Sequence, residues 1–352
     1  DGRILVGDPV TDMLAMRPVQ IAPEMGVVAF SFDPNDKRDV YGGNLDLSYE
    51  LESGHTVKSI TGYRTTDAIY SNATDYSPVD IVSIEYTDKY DVLSQELQFI
   101  SSTGRAFSYT GGLYFYRQDA TTNRDVVLGN DFVQYFIGPL YASGALSPPL
   151  PPAPALPNAL VSQLIGFGPP LSKVFNRGEV NTTSYAAYFN GTWQMAERWK
   201  LGFGVRWSTE KKEVDWLLDG RNSGIFRIGS TGANPLSPSP LINDRTDNFF
   251  APAASLTFAL TETSNLYARY ASGYKSGGFN GEYGDPDPSP AGVALNEQET
   301  RTPFQPEKVQ SYELGLKTSF AGGRAIVNMA LFQNDTDDLQ LSIFRTVGAF
   351  SS

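Results

Sequence analysis

Residues 265–320 read NLYARYASGYKSGGFNGEYGDPDPSPAGVALNEQETRTPFQPEKVQSYELGLKTSF, and the rhythm of this stretch decides the fold. In its first part Leu266, Ala268, Tyr270, Ser272 and Tyr274 share one parity, and Arg269, Gly273 and Lys275 the other. In its last part Tyr312, Leu314, Leu316 and Phe320 alternate with Ser311, Glu313, Gly315, Lys317 and Ser319. A period of two belongs to a strand with one apolar and one polar face. Both runs are about twice the length of a globular strand, which averages about 5–6 residues. A tilted strand crosses a bilayer in roughly 9–11 residues. The length points to a membrane.

The same alternation recurs along the chain. Tyr41, Leu45, Leu47 and Tyr49 oppose Asn44, Asp46, Ser48 and Glu50; Leu93, Leu97 and Phe99 oppose Ser94, Glu96 and Gln98. Phe107, Tyr109, Leu113 and Phe115 oppose Ser108, Thr110 and Gln118, and Leu201, Phe203, Val205 and Trp207 oppose Lys200, Arg206 and Glu210. Charged residues keep to the polar parity, as they must where a midplane Arg or Lys facing lipid costs about 2–4 kcal/mol. Connections alternate between tight turns and long excursions, the asymmetry of a barrel with two unlike rims. This reading gives about eleven strands, by parity alone. It makes 1–39 a loop segment and 40–352 part of a transmembrane antiparallel β-barrel, with long extracellular loops at about 71–89, 120–180, 215–247 and 280–306. An open sheet this wide leaves unpaired edges in lipid, so the strands are expected to be an interior portion of a longer barrel.

Composition is consistent with this and excludes other classes. The 352 residues are 41% hydrophobic and only 19% charged, with 33 Gly, 23 Pro and 12% aromatics. A net charge of −12 leaves no basic stripe for nucleic acid. With no Cys and one His, thiolate chemistry, disulfides and multi-His metal sites are all ruled out. His55 is expected to be a solvated turn residue. The carboxylates Asp335, Asp337 and Asp338, and Asp285 with Asp287, lack the spacing and distal Glu of a calcium loop and read as solvated charge. The proline run at 147–157 reads as a stiff loop. No catalytic residue, metal site or cofactor is expected.

Several segments carry a family resemblance. LYARYASGYKSGGFNG, within 266–281, and the Phe304–Lys317 stretch with PEKVQSYELGLK resemble barrel strands of TonB-dependent outer-membrane receptors. SITGYR at Ser59–Arg64, SQELQFIS at Ser94–Ser101 and SYAAYFNGTW at Ser184–Trp193 are similar to other strands of the same family. The resemblance implies an all-β barrel of about 22 strands in the full protein, this chain covering roughly half and the plug domain lying outside it. It implies a place in the bacterial outer membrane, amid lipid bilayer and lipopolysaccharide, and energy from TonB acting through a plug segment absent here. It also implies a small-molecule or metal-chelate ligand, most often a ferric siderophore. A passive porin, or a structural or adhesive surface barrel, are the alternatives. Tyr114, Tyr116, Arg206, Arg221, Arg227 and Lys275 are the candidate substrate-binding residues, because upper-strand aromatics and loop cations suit an anionic or aromatic ligand.

Overall fold

The computed structural model describes residues 34–73, 80–102, 104–130, 173–219, 240–280, 298, 301–341, 346–347 and 350–351. Ten strands form one antiparallel sheet in sequence order. They are β1 (Asp36–Glu50), β2 (Thr56–Ala73), β3 (Val82–Ile100), β4 (Phe107–Leu128), β5 (Lys173–Ala196), β6 (Trp199–Asp219), β7 (Leu241–Thr261), β8 (Ser264–Lys275), β9 (Glu307–Phe320) and β10 (Ala325–Asp337). Every neighbour is the next strand in sequence, so the sheet is a single up-and-down meander. The short turns expected from sequence join β1 to β2, β3 to β4, β5 to β6, β7 to β8 and β9 to β10. Gly54 and Gly104 adopt φ of 77° in the first two of these turns, a region open to glycine at little cost.

Burial separates the two faces. Ala68, Asp88, Ala120, Asn176, Thr182, Ser184, Ala186, Ser208, Val214, Leu241, Asp247 and Phe249 are all buried, and the register places all of them on one face, the concave one. The opposite face exposes Leu45, Leu47, Leu97, Leu113, Tyr185, Trp207, Phe250 and Leu314. Exposed apolar side chains in continuous rows are what a lipid-facing wall presents. On β4 to β7 the outward apolar stretches run from Phe107 to Phe115, Tyr185 to Met195, Trp199 to Trp207 and Phe250 to Leu260. Each matches the roughly 9–11 residues that a tilted strand needs for the hydrocarbon layer.

The strands reach well past that belt, and here the sequence reading needs correction. The first strand begins at Asp36, inside the expected loop segment 1–39. The sheet also claims residues of the expected loops: β2 and β3 enter 71–89, β4 and β5 enter 120–180, and β6 and β7 enter 215–247. The cause is visible in the side chains. Above the belt both faces are polar, as with outward Arg117 bonded to Asp119 at 3.0 Å and Lys211 to Glu213 at 2.7 Å. The apolar-to-polar alternation therefore fades while the backbone ladder continues.

The count of eleven strands is also corrected. Asp338 takes φ of 54°, turning the chain off the line of β10. Gln340 is then tied inward, its side-chain amide donating to the Ser276 and Gln305 carbonyls at 3.0 Å each. Only a two-residue pair, β11 (Thr346–Val347) with β12 (Phe350–Ser351), follows, apart from the main sheet.

Among the described residues β1 pairs only with β2, and β10 only with β9. Every residue of β1 is exposed. Hydrocarbon tolerates no open sheet edge, so the ten strands are an arc of a larger closed barrel.

Candidate functional site

The concave face of β3–β7 carries an interlocked polar lattice. Glu96, Tyr114, Ala186 and Ser208 are successive cross-strand partners, and in the next row Gln98, Gly112, Tyr188 and Arg206 are. Gly112 leaves a gap that the Tyr188 ring fills; a Cβ there would sit 2.5 Å from the ring. Lying across that glycine, Tyr188 donates its hydroxyl hydrogen to Glu96. Glu96 also accepts from the Gln98 amide at 2.9 Å. The Arg206 guanidinium lies 5.4 Å from the centre of the Tyr114 ring, within cation–π range, and its Nε donates to Ser208 Oγ at 3.0 Å. Tyr116, one row higher, donates to Gln118 at 2.5 Å.

Further along, four charged residues fold the chain after β8 against the inner wall. Lys212 Nζ donates to the Gly277 carbonyl at 2.9 Å and lies 3.3 Å from Glu210, which also accepts from the Ser276 hydroxyl. Asp247 accepts from the Gly277 amide at 3.3 Å and from Arg245 Nε at 2.9 Å. Arg245 reaches on to donate to the Phe304 carbonyl, and the Phe304 amide donates to the Gly278 carbonyl at 2.8 Å. At Gly277 any side chain would collide with the Arg245 guanidinium and the Phe304 backbone. The SGGF sequence is thus a strap whose two glycines permit close approach.

A third group stands above the belt on the same concave face. The rings of Tyr70 and Tyr86 stack with centroids 4.2 Å apart and planes within 8°. Arg38 lies 5.7 Å from the Tyr70 ring centre, and Arg124 5.2 Å from that of Tyr86. Asp88 beneath them accepts from Tyr70 at 3.2 Å and from Thr122 at 2.6 Å. Flat aromatic faces with flanking guanidinium groups form a surface suited to an anionic or aromatic solute.

Of the residues chosen from sequence, Tyr114, Tyr116 and Arg206 meet in the lattice. Lys275 ends β8, exposed and opposite Glu307 in the register, and does not join them. Arg221 and Arg227 lie outside the described residues, as do the proline run and Asp285 with Asp287. His55, expected to be solvated, instead stacks on Phe99 at 5.2 Å and 8°. Sequence reasoning missed Tyr86 and Asp88, which fell inside an expected loop, and the strap-holding Arg245 and Asp247. Continuing the strand parity upward from Leu93 would have placed Tyr86 and Asp88 inward. No local signal marks the strap's partners, which lie on other strands.

Known proteins share this architecture. The family model described as TonB dependent receptor-like, beta-barrel matches residues 21–352. The pesticin receptor of Yersinia enterocolitica is 27% identical over 173 residues, spanning 49% of this chain and 22% of the receptor. The catecholate siderophore receptor Fiu of Escherichia coli K12 is 29% identical over 160 residues, 45% of this chain and 20% of the receptor. The solved ferric yersiniabactin uptake receptor FyuA of Yersinia pestis superposes with a TM-score of 0.61 at 19% identity, covering 88% of this chain and 37% of that one. This last is a likeness of fold. The chain matches well under half the length of each.

Proposed function

Because this chain belongs to the TonB-dependent receptor β-barrel family of the bacterial outer membrane, we propose that the protein whose barrel wall it forms imports a scarce, bulky metal chelate, a ferric siderophore above all. The family is one of transport receptors, and the reading needs no bond-making chemistry. The external loops and upper inner wall capture the chelate. A plug inside the barrel, contributed by the rest of the protein, then yields when TonB pulls on it, drawing on the inner-membrane proton gradient.

The observation that carries the reading is the aromatic and cationic tier on the concave face above the belt. Tyr70, Tyr86, Arg38 and Arg124 face inward where a ligand arriving from outside first meets the wall. Below it, Tyr114 and Arg206 offer a second set of the same chemistry. Anionic chelates with aromatic donor groups suit such surfaces through charge-assisted hydrogen bonds and stacking. The curated relatives named for siderophores support the choice of solute. Outer-membrane location brings lipid and lipopolysaccharide as neighbours of the exposed apolar belt.

The test is iron-limited growth and uptake of radiolabelled iron by a strain deleted for the full-length protein. A panel of ferric chelates would be presented with and without TonB. Restoration of one chelate's uptake by the wild-type gene, dependent on TonB, supports the reading. Tyr86→Ala and Arg124→Ala should weaken that chelate's capture. Unimpaired uptake of every chelate, alongside TonB-independent leakage of small sugars, would replace it with the passive porin.

A further inference from the structure

The strap closes a cavity that the import reading does not use. It measures about 200 Å³ and is walled on the barrel side by Val180, Val214, Trp216 and Leu241, and on the strap side by Phe279 and Phe304. The four wall residues stand together because Val180 pairs with Val214 and Trp216 with Leu241 on the concave face. The strap side is held by the Gly278–Phe304 bridge and by the Arg245 and Asp247 clamp.

We propose that this cavity is a binding site for a single planar aromatic ring bearing a hydrogen-bond acceptor, such as a phenol. Its size is right, since an apolar cavity of roughly 150 Å³ holds a benzene ring. The lining is aliphatic and aromatic, which suits a ring face. The polar requirement comes from Trp216, whose buried Nε1 has no hydrogen-bond partner. A buried donor left unpaired is costly, and the remedy is an acceptor brought by the occupant. The indole is oriented for this. Its benzo edge lies over Gly178, where a Cβ would be 2.7 Å from Cε3 and Cζ3, so the N–H edge turns away from β5 toward β7 and the cavity. Lys212 lines the same cavity, but its charge is already balanced by Glu210 at 3.3 Å. The site therefore does not require an anion, and a neutral phenolic or heteroaromatic ring fits it.

This site stands independently of the import reading, and the experiment separates the two. The full-length receptor in detergent micelles is titrated with 4-fluorophenol and, separately, with fluorobenzene, each followed by its ¹⁹F NMR signal. The wild type should give a saturable change for 4-fluorophenol beyond micelle partitioning. Val214→Phe, which fills the cavity, should abolish it, with folding checked by heat-modifiable mobility. Val180→Phe serves if that variant fails to fold. Trp216→Phe keeps the ring and removes the N–H. It should bind 4-fluorophenol roughly three- to tenfold more weakly, the value of one net hydrogen bond, and lose its preference over fluorobenzene. Equal signals from wild type and the filled variant, or an unchanged Trp216→Phe, would overturn the site. Neither result bears on TonB-dependent uptake, which is measured in cells.

Discussion

Leu113 and Tyr114 are neighbours on one strand and live in different solvents. Leu113 points outward, 60% exposed amid Leu97, Trp207 and Phe250. Tyr114 points inward beneath Arg206. On the outer face the wall gains nothing from side-chain contacts that lipid cannot replace, and its side chains need only be apolar. On the inner face packing is specific: a ring fills the space over a glycine, a hydroxyl finds a glutamate, a guanidinium finds a ring. One face is defined by what it excludes and the other by what it fits.

The contrast breaks most sharply where charge is moved to the outer face. Leu113→Arg in the full-length protein in lipid vesicles should lower the unfolding free energy by about 2–4 kcal/mol. Arginine at inward-facing Gln98, beside Glu96, should change it by less than about 1 kcal/mol. Equal losses in urea titrations of the two variants would mean that the faces are wrongly assigned.

A smaller effect sharpens the inner face. Gly112→Val forces the Tyr188 ring off the wall and should cost about 1–3 kcal/mol by overpacking. Combined with Tyr188→Ala, the two losses should not add, because the clash vanishes with the ring. Additive melting-temperature shifts would show that the ring does not rest on that glycine.

The smallest effect concerns inward charge that stays wet. Lys58 and Asp46 lie 2.7 Å apart with side chains 28% and 42% exposed. Asp46→Asn should cost under about 1 kcal/mol, and the difference should shrink as salt is raised. A larger, salt-insensitive loss would mark the pair as buried in the assembled barrel.

Much of this is legible in the order of the residues. Parity assigns Glu96, Arg206, Arg269 and Glu313 to the inner face, and the register agrees. The short turns after Glu50, Ile100, Ala196, Thr261 and Phe320 are equally readable. What escapes is the height of the wall, since the apolar signal stops at the membrane surface while the ladder runs on to Leu128 and Lys173. Of the site, the chain order offers Tyr114 and Arg206 as residues of suitable chemistry, without the contact between them.

The division has a physical cause. Alternation is local: adjacent side chains leave a strand on opposite sides whatever the rest of the chain does, so the two faces, the belt and the membrane follow from residue order alone. Register and strap are not local. Arg245 meets Phe304 across 59 positions, and Lys212 meets Gly277 across 65. Such pairs exist only after intervening strands have paired and the sheet has curved. Which inward residues touch, and where a cavity closes behind the strap, was therefore settled by the assembled wall.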